Sequence, residues 1–201
     1  MSLLTVTAEA IPGHVSVPEL RWLAEQASAR LCIAELGSWQ GCSTRVMADN
    51  LPEGGVLYAV DTWDGRNSIL QAEVESHSPG WLQGEFARSM GDLLGGKVIP
   101  VPLSTSEAAV RFGVEGLRFD MVFIDAGHSY DAVRADILAW RKLLAPGALL
   151  CGHDYVPCQC VGPEHSPYNC FPGVVRAVDE LLPWRELVAG TSIWMARGAA
   201  E

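Results

Sequence analysis

The sequence predicts an α/β protein: one doubly wound, mostly parallel sheet of seven strands with helices on both faces. Three observations predict it. Apolar runs of strand length alternate with helical patterns along the chain, the signature of a sheet wound by crossover helices. Three of those runs end in an acid, at Asp61, Asp125 and Asp154, and ligands bind such sheets at the carboxyl ends of the strands. The 201 residues, 49% hydrophobic and 19% charged, suit one globular domain with a sizeable core.

Each element follows in order. A first helix is predicted over Val17–Arg30, with Ser16 as N-cap, Pro18 in its first turn, and Leu20, Leu23 and Ala27 on its inner face. "LCIAELG" reads as a buried strand, followed by a glycine-bearing turn and a helix over Cys42–Asn50. "GVLYAVD" is the second strand, Trp81–Leu94 a helix, "KVIPVPL" the third strand, and Ser104–Phe112 a short helix. "FDMVFID" is the fourth strand. Tyr130–Leu144 is helical, since Val133, Ile137, Leu138 and Trp140 recur at helical spacing, and Ala145-Pro146-Gly147 stops it. "ALLCGHD" is the fifth strand. After a loop rich in Pro, Cys and Gly come a helix (Val174–Leu182) and two strands near Trp184–Val188 and Ser192–Ala196. With no repeat and no linker, the expected organisation is a single domain over 1–201, with an N-terminal helical extension (1–30) and an insertion loop (155–173).

The net charge of −10 and the lack of a Lys/Arg run argue against a nucleic-acid phosphate binder. No apolar stretch is long enough to span a bilayer. Glu9, Pro12 and His14 interrupt any secretory pattern at the N-terminus, so a cytoplasmic location is expected. A homo-oligomer is left open.

Chemistry is sought first in "ELGSWQGCS". Gly37 and Gly41 allow a tight turn and close approach of a ligand, and the next helix offers free N–H groups. After Gly37 the next glycine is four residues on, which is not the dinucleotide fingerprint G-x-G-x-x-G and disfavours a nicotinamide oxidoreductase. The spacing fits the acidic-x-G-x-x-x-G loop of S-adenosylmethionine (SAM) enzymes; an ordinary strand–helix turn would read the same. Asp61, 26 residues after Glu35, can accept from both ribose hydroxyls, or serve as a turn aspartate in "DTWDG".

Asp125 and Asp154 end neighbouring strands, with His128 and His153 beside them. Such a group could bind a divalent metal or act as acid and base. Alternatively, Asp125 caps the helix near Tyr130 and His128 bonds locally. Cys158, Cys160, His165 and Cys170 lack the usual zinc-knuckle spacing. A metal-free loop or a disulfide accounts for them as well, and no required zinc site is expected. Cys32 and Cys151 read as small core residues.

With these residues in hand, the chain resembles the class I SAM-dependent methyltransferases, a Rossmann-like fold. Its resemblance is to the small-molecule O-methyltransferase branch with macrocin O-methyltransferase-like and cephalosporin-hydroxylase-like proteins. It rests on "ELGSWQGCST", "AVDTWDG", "FIDAGHSYDAVRADI" and "GHDY…FPGVVRAVDE" in that order, from about Leu31 to Leu182. The resemblance implies a cofactor site at Glu35, Gly37, Ser38, Gly41, Ser43 and Asp61. Trp63 would lie on the adenine side, Ser104 or Thr105 beside the adenine ring, and Asp125 at the edge of the site. Some relatives hold Mg²⁺ on three oxygen ligands at positions that read Asp125, His153 and Asp154 here. The imidazole is a departure that suits Mn²⁺, Zn²⁺ or Fe²⁺ better. A metal-free variant would use His128 or His153 as base, which makes Asp125, His128, His153 and Asp154 the expected catalytic group. The implied reaction is O-methylation of a small hydroxylated acceptor such as a sugar or secondary metabolite, under the N-terminal segment and the loop Arg66–Trp81. A scaffold protein that keeps the nucleoside without transfer is the alternative.

Overall fold

The computed structural model describes residues 10–65, 71–156 and 171–198. Within them the elements are α1 (Val17–Ala27), β1 (Cys32–Leu36), α2 (Cys42–Asn50), β2 (Val56–Val60), α3 (Gln71–Glu75), α4 (Trp81–Met90) and β3 (Val98–Val101). The chain continues through α5 (Thr105–Glu115), β4 (Phe119–Ile124), α6 (Tyr130–Trp140), β5 (Leu144–Gly152), α7 (Pro172–Leu181), β6 (Glu186–Leu187) and β7 (Trp194–Arg197). The seven strands form one sheet in the order β3-β2-β1-β4-β5-β7-β6. β1 to β5 run parallel, while β7 is antiparallel to both β5 and β6. No helix among the described residues is long and apolar enough to cross a membrane.

The strand runs are apolar on both sides because each face of the sheet is covered. On one face α1, α2 and α4 bring Leu23, Met47 and Phe86 onto Ile33, Leu57 and Phe123. On the other, α5, α6 and α7 bring Phe112, Trp140 and Val178 onto Val122, Leu150 and Trp194. Phe112 meets Tyr58, Phe119 and Trp140 edge-on at centroid separations of 5.2, 5.4 and 6.0 Å. Such contacts add about 0.5–1.5 kcal/mol each beyond burial. The Trp140 indole is fully buried and donates Nε1–H to the Thr105 carbonyl at 3.1 Å.

Element boundaries depart from the sequence reading in a few places. α6 ends at Trp140 in a 3₁₀ turn, Arg141–Leu143, and β5 begins at Leu144. Leu144 pairs with Phe119, but the next pair is Leu149 with Met121. The Ala145-Pro146-Gly147 stretch therefore bulges inside a strand instead of following a helix, as expected where Pro lacks a ladder donor. α3 is a five-residue helix inside a stretch read as loop. Its shortness and lack of buried residues leave no periodic signal. The calls on Cys158, Cys160, His165 and Cys170 lie outside the described residues.

Candidate active site

The chain order reverses between β1 and β4, the place where open α/β sheets form their crevice. There the strand ends pack tightly. The Asp125 amide donates to the Leu36 carbonyl at 2.8 Å. Gly37 (φ +86°) lies so close to β4 that a Cβ there would stand 2.1 Å from the Asp125 carbonyl oxygen. Above this contact opens a cavity of about 860 Å³, the size of a site for a cofactor and a small partner.

The ends of β1 and β2 carry two carboxylates with different jobs. Glu35 is wholly buried under the loop, accepting hydroxyl hydrogens from Ser38 (2.8 Å), Ser43 (2.6 Å) and Thr44. Burial pushes its acid up to about 7, against the pull of those three donors. Asp61 faces the cavity while holding the loop: one oxygen accepts from the Ser38 and Trp39 amides (3.0 and 2.9 Å), the other from the Trp63 amide (2.7 Å). Its carboxyl is also raised, by burial ahead of the amide donors that oppose it. Trp39 and Trp63 both have left-handed backbones (φ 48° and 50°), a conformation that costs energy outside glycine and clusters at functional sites.

On the other side stand the ends of β4 and β5. His128 Nε2 lies 2.7 Å from Asp154 Oδ2, and its ring stacks on Phe171 with centroids 4.5 Å apart. Burial alone would lower the His128 pKa, but the Asp154 carboxylate outweighs it and the net direction is up. His153 is buried among three carboxylates. Its Nδ1 is 3.2 Å from Asp154 Oδ1 and 3.6 Å from Asp125 Oδ1, and its Nε2 is 3.2 Å from Glu19 Oε2. The last contact is close enough for an ion pair, though Nε2 is not aligned for a hydrogen bond. Burial opposes the charge, but Asp125 and its fellow acids keep the His153 ring protonated far above the ordinary range. Asp154 is correspondingly held down at about 2: burial works against its charge, and the two imidazoles overcome it.

Glu19, from the first turn of α1, completes the group. It accepts from the Ser16 amide and hydroxyl (2.8 and 2.7 Å) and from the Ser192 amide and hydroxyl (2.8 and 2.9 Å). Burial disfavours its charge, but His153, Ser192 and Ser16 together keep its carboxyl well below the usual range. The Ser192 hydroxyl also accepts the Asp154 amide hydrogen at 3.3 Å, supporting Asp154 in a left-handed backbone (φ 63°).

A family model described as a methyltransferase domain matches residues 34–155. The chain belongs to the methyltransferase domain family. Solved structures agree with the fold. An O-methyltransferase from Bacillus cereus in complex with SAH is 21% identical, with 97% of this chain and 88% of that one covered and a TM-score of 0.63. The O-methyltransferase TomG from Streptomyces achromogenes, involved in tomaymycin synthesis and in complex with SAM, is 19% identical over 90% and 79% (TM-score 0.64). The SAH-bound methyltransferase PaMTH1 from Podospora anserina is 14% identical over 94% and 82% (TM-score 0.65).

In this methyltransferase Gly37, Ser38, Ser43, Asp61, Ser104, Thr105, Asp125, His128, His153 and Asp154 all border the cavity. Three residues expected at the cofactor do not. Glu35 is spent beneath the loop, and Gly41 packs where a Cβ would meet Met90 at 2.5 Å. The Trp63 ring is buried against Phe86 (centroids 4.7 Å apart) with Nε1–H on the Trp39 carbonyl, not at an adenine surface. His153, expected as a metal ligand or base, is buried at the cavity's edge with its ring beside Asp125, Asp154 and Glu19. Among the described residues, Asp125, His128 and Asp154 bring ligand atoms within 4.8 Å of one another. The imidazole in this set departs from the all-oxygen shell that Mg²⁺ favours, and Nε2 of His128 is the nitrogen that meets Asp154.

Of the N-terminal segment, Pro12, Gly13, His14 and Val15 border the cavity; no described residue of 66–81 does. Sequence reading missed Glu19, Ser192 and Phe171. The capping-box spacing Ser16–Glu19 was a visible signal, but it explains only the contacts that Glu19 makes within its own helix.

Proposed function

We propose that this methyltransferase moves a methyl group from SAM to a hydroxyl of a small acceptor such as a sugar or secondary metabolite. The observation that carries the reading is one cavity bounded by Asp61 and the Gly37 turn on one side and by the His128–Asp154 pair on the other. The SAM and SAH complexes of TomG and the Bacillus protein support the cofactor. The net charge of −10 supports a small acceptor over a nucleic acid.

In this reading Asp61 and the loop it braces hold the ribose and the amino-acid end. The cavity would hold cofactor and acceptor side by side, and such placement would supply much of the rate. With Nε2–H donating to Asp154, Nδ1 of His128 takes the acceptor's hydroxyl proton. SAM, when bound, would supply the methyl group: as the acceptor oxygen bonded the methyl carbon, the carbon–sulfur pair would stay on sulfur and S-adenosylhomocysteine (SAH) would leave. Asp154 orients the ring and stabilises the imidazolium that forms.

Calorimetry with SAH and methyl transfer from labelled SAM to a panel of sugars and phenols test this. SAH binding with transfer to oxygen is expected. Failure to bind either nucleoside would overturn it.

A further inference from the structure

We propose that Ser192 is a positioning residue for methyl transfer: braced by Glu19, it holds the turn at Asp154 so that the Asp154 carboxylate meets His128. The role rests on the reaction proposed above, and both residues lie outside the span matched by the family model, 34–155.

Asp154 needs holding. Its backbone is left-handed (φ 63°), a conformation that a residue with a Cβ keeps only where its surroundings over-determine it. Ser192 meets this turn twice. Its hydroxyl oxygen accepts the Asp154 amide hydrogen at 3.3 Å, and its carbonyl accepts the Tyr155 amide hydrogen at 2.9 Å. The peptide planes before and after the Asp154 Cα are thus tied to one residue, which fixes the direction in which the side chain leaves. That side chain ends with Oδ2 2.7 Å from Nε2 of His128.

The Ser192 hydroxyl is free to accept because its own hydrogen is used elsewhere. A serine hydroxyl has one hydrogen to donate, and Glu19 Oε1 takes it at 2.9 Å beside the Ser192 amide hydrogen at 2.8 Å. Glu19 is fixed in turn by the Ser16 amide and hydroxyl on Oε2. A line of contacts therefore runs from the first turn of α1 through Ser192 and Asp154 to His128 at the cavity. Sheet register brings its middle member into place: Trp194 of β7 pairs with Gly152 of β5, which sets the bend at Ser192 against the end of β5.

The test reads the His128–Asp154 contact first and turnover second. The full chain, with ¹⁵N-labelled histidines, is followed by NMR at one fixed pH with a chelator present, and His128→Asn assigns the His128 signals. The wild type is expected to show a slowly exchanging Nε2 proton on His128, and Ser192→Thr, which keeps the hydroxyl, to retain it. Ser192→Ala is expected to speed that exchange by about tenfold or more and to slow turnover by a similar factor, with SAH affinity unchanged. Unaltered exchange in Ser192→Ala would overturn the proposal, as would a threonine variant as impaired as the alanine one. SAH affinity falling in step with turnover would also overturn it, since the contact would then only brace the fold. If Ser192→Ala does not fold, Ser192→Gly takes its place; a chain that folds with neither would likewise mark the residue as structural and sink the proposal. A wild type that binds no SAH would count against the proposed reaction, and the imidazole spectra would still report whether Ser192 governs Asp154.

Discussion

The Trp63 indole donates its hydrogen to the Trp39 carbonyl at 2.9 Å, joining two loops that each carry a left-handed tryptophan. Asp61 stands between them and takes an amide hydrogen from both residues. One carboxylate therefore fixes the shape of both loops at the cavity's edge.

Asp61→Ala should weaken SAH binding by roughly 10- to 100-fold, about 1.5–3 kcal/mol for a lost charge-assisted partner. It should also lower the melting temperature without ligand, because the Ser38, Trp39 and Trp63 amides lose their acceptor. Calorimetry and thermal melts on the same sample check both. Unchanged affinity would remove Asp61 from the cofactor site.

Glu35 should make stability depend on pH. Its folded-state pKa, about 7, lies above the ordinary carboxyl value. Its contribution is thus complete at pH below about 4.5 and is lost as pH rises through 7, by roughly 3 kcal/mol in total. Glu35→Gln should flatten that slope in urea melts run between pH 4.5 and 8. An equally steep slope in the variant would assign the dependence elsewhere.

His128→Asn should cut turnover by about 10²–10⁴-fold with SAH affinity within about twofold of wild type. The wild-type rate should rise with pH as the imidazolium loses its proton, with a midpoint above the usual histidine value because Asp154 raises it. Asp154→Asn should move that midpoint down. A pH–rate profile unaltered in the Asp154 variant would exclude the pair as the base.

Gly173→Ala should injure the acceptor edge from behind. An added Cβ would sit 2.5 Å from the His128 carbonyl oxygen and the Tyr130 amide, so α7 must back away and carry Phe171 off the His128 ring. A loss of roughly 2–4 kcal/mol of stability is expected, with turnover falling more than SAH affinity. Wild-type melting and turnover would show that the segment yields freely.

The strand ends were legible because an apolar run that stops at an acid fixes both the strand and its exit. That logic put Asp61, Asp125 and Asp154 around one cavity. It could not separate His128 from His153, since both neighbour the acids in sequence. In the structure the His128 ring stacks on Phe171 and meets Asp154, while the buried His153 ring also reaches Glu19 of α1. Glu19 and Ser192 are 173 residues apart in sequence, and no local pattern announces such a meeting. Glu35 obeyed the glycine-loop pattern, yet its acid was drawn under the loop by hydroxyls of the helix that follows.

The contact between Glu19 and Ser192 also imposes an order on the chain's own synthesis. As the polypeptide leaves the ribosome, β1 to β5 and the Gly37 turn emerge before residue 192, so Asp61 and the loop amides it holds come out first. The turn at Asp154 has no Ser192 beneath it until the final strand comes out and pairs with β5. In a nascent chain the amides that hold Asp61 would thus be in place before the hydroxyl that supports Asp154.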